Sequence, residues 1–380
     1  MGPARGTSQA VIRIRSVELR EIHLPLVHPF ETSSGRTVSR RIILVTVRSP
    51  EAEGFGECTA GEDPYYSGET TDTAWHLLAD FVIPAVLGRT FERARDVAAA
   101  LRSIRGNEMA KAALETALWD LEARARNLPL SRHLGGTREE IPCGVSIGIQ
   151  NTVGALLSAV RQEVAAGYQR VKIKIKPGWE IEPLQAIRDE FPDLPLMADA
   201  NAAFSLDDAD LLAGLDRFRL MMIEQPLGHN DMADHALLQK RIQTPICLDE
   251  PIHSAEDGRK AIELGSCRII NVKLGRIGGY AEALQLNDYC VRHSIPVWCG
   301  GMLESGIGRA HNIAMSSLAG FVLPGDVSAS RRYFEEDTVR PPVMVTPRGT
   351  IRVPAGPGIG YEPDSSRIQR ATVRIREFSA

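Results

Sequence analysis

Residues 194–201 read LPLMADAN, residues 220–226 read LMMIEQP and residues 244–251 read TPICLDEP. Each stretch is a short apolar run that stops at a carboxylate. The three acids, Asp199, Glu224 and Asp249, stand 25 residues apart in both intervals. That interval holds one strand, one helix and their turns, so the chain is repeating a βα unit. Further runs flank these three: 144–147 and 171–176 before them, then 269–274, 295–300 and 321–325 after. Amphipathic helices fit between the runs, as at 153–166 and 281–293. Eight such units over roughly 200 residues predict an α/β fold closed into a (β/α) barrel, whose usual size is about 250 residues. Most runs are apolar throughout rather than alternating, as expected when both faces of a parallel sheet are covered. The alternative is an open doubly wound sheet. The first βα turns lack a GxGxxG fingerprint, which counts against a nucleotide there.

Outside this core the texture differs. Apolar β runs at 11–14 and 42–47 flank the turn-rich segment HPFETSSG (28–35), which reads as a mobile hairpin-type loop. A second polar loop spans 59–70, and helical patterns follow at 73–87 and 94–104. The strongest helix is AKAALETALWDLEARARN (110–127), in which Leu114, Ala117, Leu118 and Leu121 predict one buried stripe. After Tyr333 a tail with β runs at 350–353 and 371–375 is expected to pack back on the N-terminal part. The predicted organisation is a capping domain over 1–138, a barrel over 139–340 and a returning tail over 341–380.

Composition narrows the function classes. Hydrophobic residues make up 43% and charged residues 24%, so a large core is available. The net charge of -4 gives no reason to expect nucleic acid or an anionic membrane as partner. No run of ~18 apolar residues occurs, and residues 1–9 resemble neither a signal peptide nor an anchor. The six cysteines form no CxxC pair, which points to reduced, buried thiols in a cytoplasmic protein.

In a (β/α) barrel the active-site groups sit at the C-terminal strand ends. Equal spacing predicts Asp199, Glu224 and Asp249 at one height on adjacent strands. Three carboxylates converging there repel unless a cation sits among them, and oxygen-only ligands suit Mg²⁺ or Mn²⁺. A single acid at a strand end is ordinarily a cap or a loop hydrogen-bonder; three in series are not. Lys172, Lys174 and Lys176 alternate along the neighbouring run and share one face. On an exposed strand that face is simply solvated. Inside a barrel it points inward, where a lysine without a role is costly. Lys176, beside Pro177 and Gly178, falls in the turn and is read as surface. Lys273 ends the sixth run.

Several motifs carry a family resemblance. They are VKIKIKPGW (171–179), DAN (199–201), IEQPL (223–227), PICLDE (245–250), NVK (271–273) followed by Gly278 and Gly279, WCGGMLESG (298–306) and LPGD (323–326). RGNEMAK (105–111) and GVSIGI (144–149) extend it. Over nearly the whole chain the sequence resembles the muconate-lactonizing subgroup of the enolase superfamily, and within it the o-succinylbenzoate synthase / N-succinylamino acid racemase family. The resemblance implies a (β/α)7β-type modified TIM barrel with an α+β N-terminal capping domain, assembled as a homo-oligomer. It implies Mg²⁺, or another divalent metal, on Asp199, Glu224 and Asp249, holding a small-molecule carboxylate substrate. Lys174 is then the base that removes the α-proton, and Lys273 faces it across the substrate. Lys172 helps hold the carboxylate and depresses the pKa of Lys174. Asn201 and Glu250 orient the ligands. Arg276 is expected to lower the pKa of Lys273 and so favour racemization; an ordinary loop arginine is the alternative. Phe30 and the loop 61–66 are expected to close over the substrate. Ser146, Gly301, Met302 and Leu303 are placed by position along the acyl pocket, with core packing the alternative for Met302 and Leu303. Gly61 departs from relatives that carry a bulky Met there.

The same constellation suits a synthase, which eliminates water in menaquinone biosynthesis, and a dedicated N-acylamino acid racemase. Mandelate-racemase-type enzymes place a His at the seventh strand end, where this chain has Trp298-Cys299-Gly300-Gly301-Met302. Dipeptide epimerases resemble a DxD pattern at the eighth, where this chain has Asp326-Val327-Ser328. A metal-independent Schiff-base aldolase would use one barrel lysine and has no need of three carboxylates beside it. A non-catalytic scaffold would have no use for buried lysines. Chelation separates these classes, since only the metal enzyme loses activity.

Overall fold

The computed structural model describes residues 11–33 and 35–380, so the reading of residues 1–9 and the tip residue Ser34 lie outside it. Seven parallel strands run in sequence order around the core: Gly144–Ile147, Arg170–Lys174, Leu196–Asp199, Ile223–Glu224, Ile246–Leu248, Ile269–Val272 and Val297–Cys299. Helices on the outside connect them, Val153–Ala165 and Tyr280–Arg292 among them. The expected eighth strand is not formed. Only single bridges, Val297 to Phe321 and Cys143 to Gly325, close the ring there. Pro324 has no N–H to give a ladder, so the segment cannot pair continuously.

Period two decides what the barrel encloses. Met197, Met222, Cys247, Ile269 and Trp298 pack together as one inner layer. Two residues further along their strands stand Asp199, Glu224, Asp249, Asn271 and Gly300. Polar groups therefore begin where the apolar plug ends, at the C-terminal mouth.

The N-terminal part is an antiparallel sheet. Strands Ser16–Glu31 and Arg36–Arg48 form a long hairpin, followed by Glu53–Cys58. Pairing extends to Glu31 and Arg36, so the expected loop contracts to a short tip, with a ladder irregularity between Pro25 and Phe30. The outermost strand, Thr372–Ser379, comes from the chain's end and pairs with Ser16–Ile22. Of the other tail strands, Glu362–Pro363 pairs with Val339–Arg340, and Thr350–Arg352 pairs instead with Glu140–Pro142 at the barrel's entry. Its register partners there leave it no contact with the N-terminal sheet's ladder.

The helix Glu108–Ala125 is buried on nearly all sides rather than along one stripe. It lies between the N-terminal sheet and the barrel, and its acids have partners on both. Glu115 accepts from the backbone N–H of Tyr280 (2.8 Å) and Ala281 (2.9 Å) and from Trp119 Nε1 (2.6 Å). It thereby caps a barrel helix from the neighbouring domain. Asp120 accepts from Phe55 N and Ile359 N. Glu57 does the same for Gly306–Ser316, taking Ser305 N and Gly308 N at 2.9 Å each. No helix among the described residues is long and apolar enough to cross a membrane.

Candidate active site

Strand register brings the predicted residues to one mouth. Lys174 pairs with Asp199 and Asp199 with Glu224. Glu224 pairs with Cys247, so Asp249 stands two residues beyond strict register, in the turn after its strand. Equal spacing in sequence thus does not mean equal register. Strand tilt in a barrel returns Asp249 to the same opening. Backbone angles are unusual at these ends: φ is positive at Asn201 (44°), Ala202 (62°), Gln225 (39°) and Leu303 (57°). Such conformations cluster where a site is over-determined by its surroundings.

Side chains link the acids to the cations. Lys174 Nζ donates to Asp199 Oδ2 at 2.5 Å and to Asn201 Oδ1 at 2.7 Å. Lys172 Nζ lies 2.9 Å from Glu224 Oε2, 3.3 Å from Asp199 Oδ2 and 2.6 Å from Asp326 Oδ2. Lys273 Nζ donates to Asp249 Oδ2 at 2.7 Å and to Tyr66 OH at 3.1 Å. Arg276 pairs with Asp249 and donates to the carbonyls of Ile252 and Asn271. Asn201 Nδ2 donates to Glu250 Oε1 at 3.3 Å, and Asn271 Nδ2 to Glu224 Oε1 at 2.6 Å. Lys176 is half-buried in the turn after its strand.

The electrostatics follow from burial and crowding. Burial alone would lower the pKa of Lys172, but Asp326, Glu224 and Asp199 hold it above its ordinary value. Lys273 is likewise held up against burial, by Tyr66, Glu224 and Glu250. The donors of Arg276 go to Asp249 and to backbone oxygens. Burial and the charge of Asp199 push Glu224 up, and push Glu250 up to about 7.

The oxygen set fits a hard divalent cation. Three buried carboxylates share the mouth, two of their neighbours' oxygens (Glu250 Oε2 and Asn271 Oδ1) have no hydrogen-bond partner, and the charge of Asp199 adds to burial in raising Glu224 and Glu250. The acids are at present turned to the lysines and Arg276. Among the described residues no three Asp, Glu, His or Cys side chains close on one point.

Above the mouth lies a cavity of about 430 Å³, lined by Lys174, Asn201 and Lys273 from the barrel and by Gly301, Met302 and Leu303 from the turn after the seventh strand. The N-terminal sheet contributes Phe30 and Arg40 to the same cavity, and the loop after its strand Glu53–Cys58 contributes Tyr66. The second and sixth positions of an eight-membered ring are opposite each other, so Lys174 and Lys273 reach the cavity from facing sides. Both N-terminal loops touch the mouth. Ser33 Oγ donates to the Ala200 and Asn201 carbonyls, and Tyr66 OH to Asp249 Oδ1. Ser146 faces inward beside Lys172, but its hydroxyl is buried without a partner and does not line the cavity.

Four participants are not singled out by the sequence. Arg170 and Asp326 form a buried pair at 2.7 Å that also holds Lys172. Arg170 continues the alternation of Lys172 and Lys174 one step upstream, which is a usable signal. Asn271 shares the parity of Lys273. Tyr66 has no signal beyond lying in a turn-rich loop.

Comparison with known proteins agrees with this geometry. Residues 155–367 match the family model for the enolase C-terminal domain-like fold. Residues 14–135 match that for the mandelate racemase / muconate lactonizing enzyme N-terminal domain. An o-succinylbenzoate synthase of Geobacillus stearothermophilus is 51% identical over 368 residues, covering 97% of this chain and 98% of the relative. An N-succinylamino acid racemase of Amycolatopsis sp is 46% identical over 362 residues, covering 95% and 98%. A solved structure of an enolase superfamily member from Listeria innocua superposes with a TM-score of 0.94 at 43% identity, covering 97% of this chain and 99% of that one.

Proposed function

The chain belongs to the enolase superfamily, in the family of o-succinylbenzoate synthases and N-succinylamino acid racemases, and from that premise we propose that one site performs both reactions with Lys174 and Lys273 as its acid–base pair. Enzymes of this superfamily use a divalent metal, and Mg²⁺ is the ion proposed here, held by Asp199, Glu224 and Asp249. When bound, the cation supplies positive charge to the substrate carboxylate as the neighbouring carbon loses its proton.

The chain's own residues supply the rest. Lys174 takes the α-proton from one face of the substrate and Lys273 stands ready at the other. Asn201 holds Lys174 and Tyr66 holds Lys273, fixing each nitrogen in place. Lys172, pinned by Asp326 and Glu224, contributes fixed positive charge at the carboxylate. In racemization one lysine accepts the proton and the other returns one. In dehydration a single lysine removes the proton, water leaves from that face, and the opposite lysine stabilises charge. The observation that carries this reading is the pair of buried lysines on facing strands of one cavity. Six buried free thiols support the proposal that it works in the reducing cytoplasm.

The test is α-deuterium exchange on each enantiomer of an N-succinyl amino acid, alongside turnover of the cyclohexadiene precursor. Lys174→Ala and Lys273→Ala should each exchange only one enantiomer, and opposite ones. Both should lose dehydration. EDTA should abolish all activities and Mg²⁺ restore them. Continued racemization by either variant would refute the assignment.

A further inference from the structure

Arg40 is buried, at 6% exposed, yet no carboxylate lies within ion-pair distance of it among the described residues. Its Nη2 donates to the carbonyls of Thr59 (3.0 Å) and Ala60 (3.1 Å). Its Nε is buried with no hydrogen-bond partner. The acids whose charge it feels most are otherwise engaged or outside. Glu57 accepts from Ser305 and Gly308, Glu304 accepts from Asn312, and Glu62 is exposed. A guanidinium in this condition is costly to keep unless an anion comes to it.

Its place suggests which anion. Arg40 lines the cavity that Lys174 and Lys273 enter from the barrel, but it belongs to the N-terminal sheet and not to the barrel that carries the strand carboxylates. Gly61 lines the same wall. Its backbone does not require glycine, and an added Cβ would meet no atom closer than 3.4 Å (Asp63 O), with Arg40 Nη1 next at 3.9 Å. A longer side chain at 61 would thus lie over the guanidinium. Glycine here leaves Arg40 uncovered.

We infer that Arg40, left open by Gly61, binds the free terminal carboxylate of a succinyl group, so that the substrate is held through a carboxylate at each end of the cavity. This rests on the proposed function for the substrate class. It adds the residue that distinguishes a succinyl group from an uncharged acyl group.

The experiment compares N-succinyl-L-phenylalanine with N-acetyl-L-phenylalanine, by calorimetric binding and by α-deuterium exchange, in the Mg²⁺-loaded full-length protein. Wild type should bind the succinyl compound at least tenfold more tightly. The ratio of kcat/KM between the two compounds should fall at least tenfold in Arg40→Gln and in Gly61→Met, mainly through KM. Arg40→Lys should recover part of it. Gly61→Met leaves the hydrogen bonds from Arg40 to Thr59 and Ala60 in place, so it separates anion binding from loop support. A wild type that shows no binding preference overturns the inference, as does an unchanged ratio in both variants. A binding preference without any α-exchange supports Arg40 and counts against the proposed function.

Discussion

At the scale of single residues, the site depends on what is missing as much as on what is present. A Cβ on Gly300 would lie 2.2 Å from Asn271 Oδ1 and 2.7 Å from Lys273 Cε. Gly300 is therefore the space in which Lys273 is laid and Asn271 is turned to Glu224. In Gly300→Ala both side chains must shift, and a shift of this order costs roughly 10²-fold in kcat. The melting temperature should move far less, because the displaced groups are side chains at a cavity edge. Steady-state kinetics beside a thermal melt checks both; a kcat within twofold of wild type refutes the role. Residue identity is readable where chemistry demands it. Lysines alternating along 171–176 and acids at regular spacing seldom arise without a shared site to serve. Gly300 and Arg40 are not readable, because emptiness and an unpaired charge exist only once neighbours are placed. The two-residue offset of Asp249 is likewise invisible, since spacing counts residues and register counts pairings.

At the scale of elements, propensity locates the long helix Glu108–Ala125 but does not reveal its surroundings. Its apolar residues predict a single stripe, which would leave its acids facing water. Glu115 and Asp120 are instead buried against backbone N–H groups of other elements. Glu115→Ala would leave three donors without a partner, at about 1–3 kcal/mol each. Destabilisation by about 3 kcal/mol or more is expected, measured by urea unfolding. A loss below ~1 kcal/mol would mean that water replaces the carboxylate at no cost. The eighth strand fails for a comparable reason: an apolar run promises burial, but Pro324 withholds the ladder.

At the scale of the whole molecule, the two domains are joined through buried acids, and this gives stability a pH dependence. Burial pushes Glu57 and Glu115 up to about 7, and Asp120 to about 6, from ordinary values of 4.5 and 3.8. In the window between those values the folded state keeps protons that the unfolded chain has released. Stability from these groups is greatest at the acid end and declines as pH rises toward 7. Asp326 acts oppositely, being held below its ordinary 3.8 by Lys172 and Arg170 against burial. Its contribution is present above that value and lost as pH falls through its lower folded pKa. Between about pH 5 and pH 7 the contributions of Glu57, Glu115, Asp120 and Glu250, the last also pushed up to about 7, decline, while His311, pushed down to about 4 by burial, works the other way. The acids outnumber it, so the melting temperature should fall, by on the order of 5 °C. A rising melting temperature across that range would contradict the assignment. The strand Thr372–Ser379 has a different consequence for the same sheet. A polypeptide is made from its first residue to its last. The sheet that carries Phe30 and Arg40 emerges before the barrel, but it lacks its edge strand until residues 372–379 have been added. The sheet begun before the barrel is thus completed only after the barrel's last strand has been made.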